Sequence, residues 1–303
     1  MQRLRIPSVL LVVTLCGVVS VARAQDAAKG MALLADARKA VGGEDRLAAV
    51  KAVEVRGDFK RVIRETNIEG NLQIRLERPD KLRRDEDLSP PGGGPAIVRT
   101  EVLNGTTVWD LNSGRGDFFV GRFGGGGRGA GGGRREPAAR GGRAPMDPAA
   151  IEDVQRRARQ ADLARFTLAW LLATDGQVSW VGTAEAPDGK ADVLEITGAG
   201  GPVTRLFLDQ SSHLPLMMTW QGNAPPLLFF DARGRRGGDG PPVERPARPA
   251  QATFQMTLGE YKIVNGLKLP HLITRAINEA PIEEWAIKSY RINPSFKSDV
   301  FTK

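Results

Sequence analysis

Cysteine is almost missing from this chain of 303 residues: the only one, Cys16, lies close to the start. Without a partner it forms no intrachain disulfide, so the fold has to be held by a core rather than by staples. Histidine is nearly as scarce, with His213 and His271 far apart, which leaves no usual ligand set for a transition metal; no metal and no cofactor are expected. Ser211-Ser212-His213 brings a hydroxyl next to an imidazole, but neighbours on a strand point to opposite faces and no Gly-x-Ser-x-Gly elbow occurs. That triplet reads as a turn, and His271, after Pro270, reads as a packing residue. Nothing in these spacings points to an enzyme.

Long apolar runs are also absent, apart from Val9 to Val19, which is too short to span a membrane. With Arg3 and Arg5 before it and Ala22-Arg23-Ala24 after it, residues 1–24 read as a secretory leader cleaved after Ala24. Leu15 stands where a lipid-modified Cys16 would want a small residue, so lipoprotein anchoring is disfavoured. A periplasmic or secreted protein is expected, the leader's 24 residues leaving 279 of the 303 as one domain and a monomer.

The formal charge of +8 drops to +5 once Arg3, Arg5 and Arg23 leave with the leader. Much of the remainder sits in Gly/Arg-rich inserts at 121–146 and 232–250, whose apolar content is too low to offset their ordering entropy; both are expected to be flexible. The glycines from Gly124 to Gly133 lack the Gly-Lys-Ser/Thr ending of a phosphate loop. Arg122, Arg128, Arg134 and Arg135 resemble an RNA-binding segment, yet export removes nucleic acid as a partner. Two readings stand: a solvated spacer, or a contact for anionic lipid headgroups or an envelope protein.

Hydrophobic spacing supplies the elements. Gln25 to Val41 has Met31, Leu34, Ala37 and Val41 on one helical face and stops at Gly42-Gly43, followed by a short helical segment through Leu47. From Val53 the period becomes two, with Val53, Val55 and Phe59 opposed to Glu54, Arg56 and Asp58. Similar runs follow at Leu72–Leu76, Lys81–Leu88, Ile97–Leu103, Thr106–Leu111, Gln177–Thr183, Ala191–Thr197, Thr204–Asp209, Leu216–Trp220, Phe254–Leu258, Leu267–Ile277 and Pro281–Tyr290. Asn104-Gly105 and Asn265-Gly266 predict tight hairpins. Between the two halves, Asp147 to Thr174 predicts an amphipathic helix with Asp147-Pro148 at its start and Asp175-Gly176 as its stop. Its charged face (Glu152, Arg156, Arg159, Asp162) should meet water, while Phe166 and Trp170 should meet the sheet. Asp85-Glu86-Asp87 and Glu283-Glu284 read as solvated surface. The expected class is α+β, mostly β, with about ten antiparallel strands that curl around an apolar filling.

Two hairpins carry a resemblance. "FLDQSSHLPLMM" (Phe207 to Met218) and "YKIVNGLKLPHLI" (Tyr261 to Ile273) are similar to the turn motifs of LolA/LolB-type periplasmic outer-membrane lipoprotein-sorting carriers, as is the order of leader, helix, strands, mid-chain helix and strands. The resemblance implies an unclosed antiparallel β half-barrel whose N-terminal and mid-chain helices cover the concave face. It also implies a carrier that shelters lipoprotein acyl chains or another lipid. Phe59, Leu72, Ile74, Phe166, Trp170, Met218, Trp220, Phe254 and Met256 would line the cavity, with the mid-chain helix as lid. The alternative is that these residues simply fill the core, making the chain a non-catalytic structural or interaction module of the envelope.

Overall fold

The computed structural model describes residues 17–63, 66–89, 97–112, 147–186, 189–198, 203–223 and 251–303. The Gly/Arg-rich inserts and the first part of the leader lie outside the described residues. A helix α1 (Gly17–Val41) and a short α2 (Glu44–Ala48) lead into β1 (Ala52–Ile63), β2 (Thr66–Glu77), β3 (Lys81–Ser89), β4 (Ile97–Asn104) and β5 (Thr107–Asn112). After α3 (Pro148–Leu171) come β6 (Gln177–Ala186), β7 (Gly189–Thr197), β8 (Thr204–Asp209), β9 (Pro215–Asn223), β10 (Gln251–Val264), β11 (Leu267–Ile277) and β12 (Ala280–Ile292). Among the described residues, no helix is long and apolar enough to cross a membrane.

All twelve strands form one sheet in the order β5-β4-β3-β2-β1-β12-β11-β10-β9-β8-β7-β6, two more than the approximate count expected from sequence. Each neighbouring pair is antiparallel. The chain enters at the middle of the sheet, meanders out to β5, crosses to the far edge at β6 and meanders back until β12 lies beside β1. The edges β5 and β6 do not pair, so this is the expected half-barrel, open rather than closed.

Apolar alternation puts one face of this sheet inside. Leu194, Leu206, Met218 and Met256 lie in one register row across β7 to β10, and Leu258, Ile273, Trp285 and Phe59 in another across β10, β11, β12 and β1. A bulge between Arg56 and Gly57 shifts the β1–β12 register, so that Tyr290, out of phase with Trp285 and Ile287 in sequence, still turns to the buried face. Gly70 stands opposite Phe59, and a Cβ there would lie 2.9 Å from the ring; its bare backbone makes room for the aromatic.

The two Asn-Gly turns resolve differently. Asn265-Gly266 are the two loop residues between Val264 and Leu267 and both have positive φ, as expected. In the other hairpin Asn104 pairs with Thr107, so the loop is Gly105-Thr106 with only Gly105 at positive φ. Pairing in the β4–β5 ladder has drawn Asn104 into the strand.

Helix α1 begins at Gly17, inside the expected leader, because no helix breaker separates that segment from Gln25 onward. It ends as expected, with the Gly42 and Gly43 N–H groups donating to the Arg38 carbonyl. Midway along, α1 lies directly on β6. A Cβ at Gly30 would sit 2.8 Å from the Ser179 carbonyl carbon and the Trp180 nitrogen, and next to it the Lys29 ammonium is 3.2 Å above the Trp180 ring.

Gly30→Ala gives a direct test of that seating. Alanine should favour the helix by about 1 kcal/mol on propensity alone. The clash with β6 backbone should cost about 1–3 kcal/mol, so the urea midpoint is expected to fall. A raised midpoint would show that α1 does not rest on the strand.

Candidate functional site

Helix α3 covers the concave face together with α1, whose Leu34, Ala37 and Val41 lie in the same buried cluster. The Asp147 carboxylate accepts from the Ala149 N–H at 3.1 Å and Pro148 occupies the first turn, so its start is as expected. Its stop comes earlier than Asp175-Gly176: Leu172 adopts φ 50 and closes the helix, its N–H donating to the Leu168 carbonyl. The Leu172 carbonyl in turn accepts from Arg38 Nε at 3.0 Å, which ties this end to α1. The buried stripe is Arg159, Leu163, Phe166 and Trp170 at three- and four-residue steps, widening to Leu168, Ala169 and Leu171 at the C-terminal end. Val154 is 37% exposed, so the first half of α3 is only partly covered.

Phe166 and Trp170 are stacked, with centroids 5.0 Å apart and planes 6° from parallel. Trp170 meets Tyr290 edge-on at 6.1 Å, and Phe166 is 6.0 Å from Trp285. All nine residues expected to line a cavity fall in one buried cluster. Phe59, Leu72, Ile74, Met218 and Met256 are packed there at 0–2% exposure. Trp220 and Phe254, stacked at 5.8 Å, sit at its margin. These two alone of the nine border an open groove of about 840 Å³ that runs along α3. Leu163 and Leu168 of α3, Ile196 of β7, Arg165 and Arg275 border the same groove.

Beside this apolar floor the concave face carries charge, against expectation. Arg84 and Glu86 follow Leu82 in the same β3 alternation, Arg61 follows Phe59, Glu283 precedes Trp285, and Arg275 follows Ile273. Each therefore points inward. Glu86, 1% exposed and expected to be solvated, ion-pairs with Arg61 at 2.8 Å, with Arg84 and with Arg99 at 3.7 Å. Glu283, also expected in water, is held by Arg61 at 2.6 Å, Arg275 at 3.0 Å and Arg84 at 3.3 Å. Arg159, assigned to the wet face of α3 from sequence, is 5% exposed and reaches Glu101 at 2.8 Å and Asp110 at 3.0 Å, with Arg99 completing the Glu101 pair. The physical reason is the pairing itself: guanidinium and carboxylate groups on adjacent strands compensate each other, so burial is tolerated where either alone would be expelled.

The electrostatics follow. Burial pushes the Glu101 carboxyl up, but Arg99, Arg159 and Arg84 outweigh it and hold the group at about 2. Glu283 is likewise raised by burial and brought down to about 2 by Arg61, Arg275 and Arg84. Glu86 is driven lower still by Arg84, Arg61 and Arg99 against its own desolvation. Buried Nε groups of Arg84 and Arg159 and the indole Nε1 of Trp170 and Trp285 have no hydrogen-bond acceptor among the described residues. The Trp285 ring instead carries the guanidinium carbons of Arg84 at 5.1 Å and Arg275 at 5.5 Å.

Sequence reasoning missed these charged residues. The usable signal was a charged side chain in phase with an apolar alternation, Leu82-x-Arg84-x-Glu86-x-Leu88 being the clearest case. The histidine and serine readings hold. Asp209 accepts from the Ser211 and Ser212 backbone and hydroxyls in a turn where His213 has φ 57, and His271 is buried with Nδ1 3.0 Å from the Leu269 carbonyl oxygen.

Acid should dissolve the cluster. Glu101 and Glu283 have folded pKa values of about 2 against an ordinary 4.5. Their contribution is therefore complete above about 4.5 and lost as pH falls toward 2, because the unfolded chain then binds protons that the folded one refuses. The urea midpoint is expected to fall steeply over that window, and Glu101→Gln should flatten the fall. An unchanged slope in the variant would show that Glu101 does not contribute.

No protein-family profile matches the chain, and no curated protein matches its sequence. Solved structures do. A LolA superfamily protein from Nitrosomonas europaea is 12% identical, with 90% of this chain and 97% of that one covered and a TM-score of 0.46. A domain described as an outer membrane lipoprotein-sorting protein from Vibrio parahaemolyticus is 10% identical, with coverage of 91% and 97% and a TM-score of 0.44. A DUF1329 family protein from Desulfovibrio piger is 8% identical, with coverage of 90% and 96% and a TM-score of 0.43. The family named from the hairpin motifs thus recurs among the solved structures to which this chain is similar. The degree of superposition is too low to carry function across.

Proposed function

We propose that the protein is an exported, non-catalytic carrier or binding protein that shelters an apolar ligand, lipoprotein acyl chains or another lipid, between α3 and the sheet. The observation that carries this reading is the groove of about 840 Å³ along α3, bordered by Trp220, Phe254, Leu163, Leu168 and Ile196. Its size lies within the range of pockets that hold one small ligand. Burial of apolar surface, at about 25 cal/mol per Å², would supply the affinity. Secretion rests on the leader at 1–24.

Native mass spectrometry of protein purified from an envelope fraction, before and after delipidation, tests the reading. A co-purifying lipid is expected. Thr167, on the groove wall and half-buried, gives a matched variant: Thr167→Trp should block the groove and abolish displacement of a bound fluorescent probe, with little change in melting temperature. No co-purifying lipid and no probe displacement in the wild type would overturn the proposal.

One observation favours a second reading. Seven of the nine expected cavity residues lie in the packed cluster away from the groove, as they would in an interaction module with a filled core. Its partner, an envelope protein or anionic headgroups, would then be met through the Gly/Arg-rich inserts. Deleting residues 124–142 separates the two: a carrier should keep lipid uptake, whereas an interaction module should lose capture of its partner.

A further inference from the structure

The groove along α3 is only partly apolar, and its charged lining includes Arg78, Arg157, Arg165 and Arg275 beside Asp80, Asp162 and Asp175. Arg165 projects from α3 onto the aromatic floor, its guanidinium carbon 4.3 Å from the centre of the Trp220 ring, and Trp220 is itself stacked on Phe254. The Arg165 side chain is 13% exposed, yet among the described residues it has a single carboxylate, Asp162, at 3.0 Å on its own helix. Its neighbours are treated differently. Arg61 and Arg84 each contact both Glu86 and Glu283, and Arg159 contacts both Glu101 and Asp110. Burial accordingly lowers the Arg165 pKa in spite of Asp162, whereas carboxylates outweigh burial and raise those of Arg61, Arg84 and Arg159. Arg165 thus differs from Arg61, Arg84 and Arg159, and it borders the groove where those three do not; burial also lowers the pKa of Arg275, a second groove residue, in spite of Glu283. Arg275 of β11 supplies a second guanidinium at the groove, held by Glu283 at 3.0 Å.

We propose that the groove binds a single-chain amphiphile with an anionic head, a carboxylate or a phosphate. The head would be taken by the Arg165 fork in competition with Asp162, and the chain would lie over Trp220 and Phe254 between α3 and Ile196. A guanidinium presents paired donors to two anionic oxygens at once, a fit that neither an ester nor a hydroxyl head can reproduce. The volume of about 840 Å³, shared with the polar side chains Gln160, Thr167, Gln221 and Asn223, argues for one chain rather than two or three. This inference rests on the groove being the ligand site and adds the charge and size of what enters it.

The test is a titration of the delipidated full mature chain, followed by tryptophan fluorescence. Palmitate, lysophosphatidate and the neutral monoglyceride of the same chain length are compared, with acetate and inorganic phosphate as heads without chains. The better of the two anionic amphiphiles should bind at least about tenfold tighter than the monoglyceride, the scale of one charge-assisted contact, and which one wins identifies the head. Arg165→Met should erase that preference while leaving monoglyceride binding in place. Equal affinity for anionic and neutral chains in the wild type would overturn the inference and leave the groove reading standing. Acetate or phosphate binding as tightly as the amphiphiles would also overturn it, and no binding of any chain would overturn both. The wild-type comparison decides the matter even if the variant fails to fold.

Discussion

The chain has to pass from one free edge of an open sheet to the other, and α3 makes that passage. β5 ends at one edge and β6 begins at the other, with ten strands between them. A helix of 24 residues spans roughly 36 Å, enough to run across a curled sheet while covering its inner face. Because the crossing lies on the concave side, much of what faces inward from the sheet meets this helix, while α1 covers β6. The aromatic stack of Phe166 and Trp170 against Trp285 and Tyr290, the Arg159 contacts to Glu101 and Asp110, and the groove along Leu163 and Leu168 are three outcomes of that placement.

The two halves of α3 are held by different forces. Its C-terminal half is fixed by apolar burial and by the Arg38 bond to the Leu172 carbonyl. Its N-terminal half, with Val154 partly exposed, is held to β4 and β5 through Arg159. Apolar contact is insensitive to pH, whereas the buried Arg159–Glu101 pair, though little screened by salt, is lost when acid protonates Glu101. A helix anchored this way resists wholesale release while leaving one end dependent on solution conditions.

The buried charges also bear on specificity. Replacing a buried ion cluster by well-packed apolar groups often leaves stability unchanged or raised, so such a cluster is weak evidence for stability. In this fold it matches the register: Arg61 with Glu283, Arg84 with Glu101 and Glu86 with Arg99 are all directly opposed across strand pairs. A slip by one residue would strand each charge alone. The same pairing leaves Arg165, outside the ladder on α3, with a single carboxylate among the described residues.

By itself the sequence determined the strands, the helices, the Asp147-Pro148 start of α3 and the Asn265-Gly266 turn, because each follows from local spacing or from backbone preferences that neighbours do not alter. It also determined that Phe166 and Trp170 face the sheet. It could not determine that Glu86, Glu283 and Arg159 are buried, since the cost of burying a charge depends on which opposite charge another strand brings beside it. Nor could it say that seven of the expected lining residues pack away from the groove while Trp220 and Phe254 border it. Only tertiary structure decided that, through the offset of α3 on the sheet. A period of two assigns a residue to a face, and the partner across that face decides whether the space is filled, charged or open.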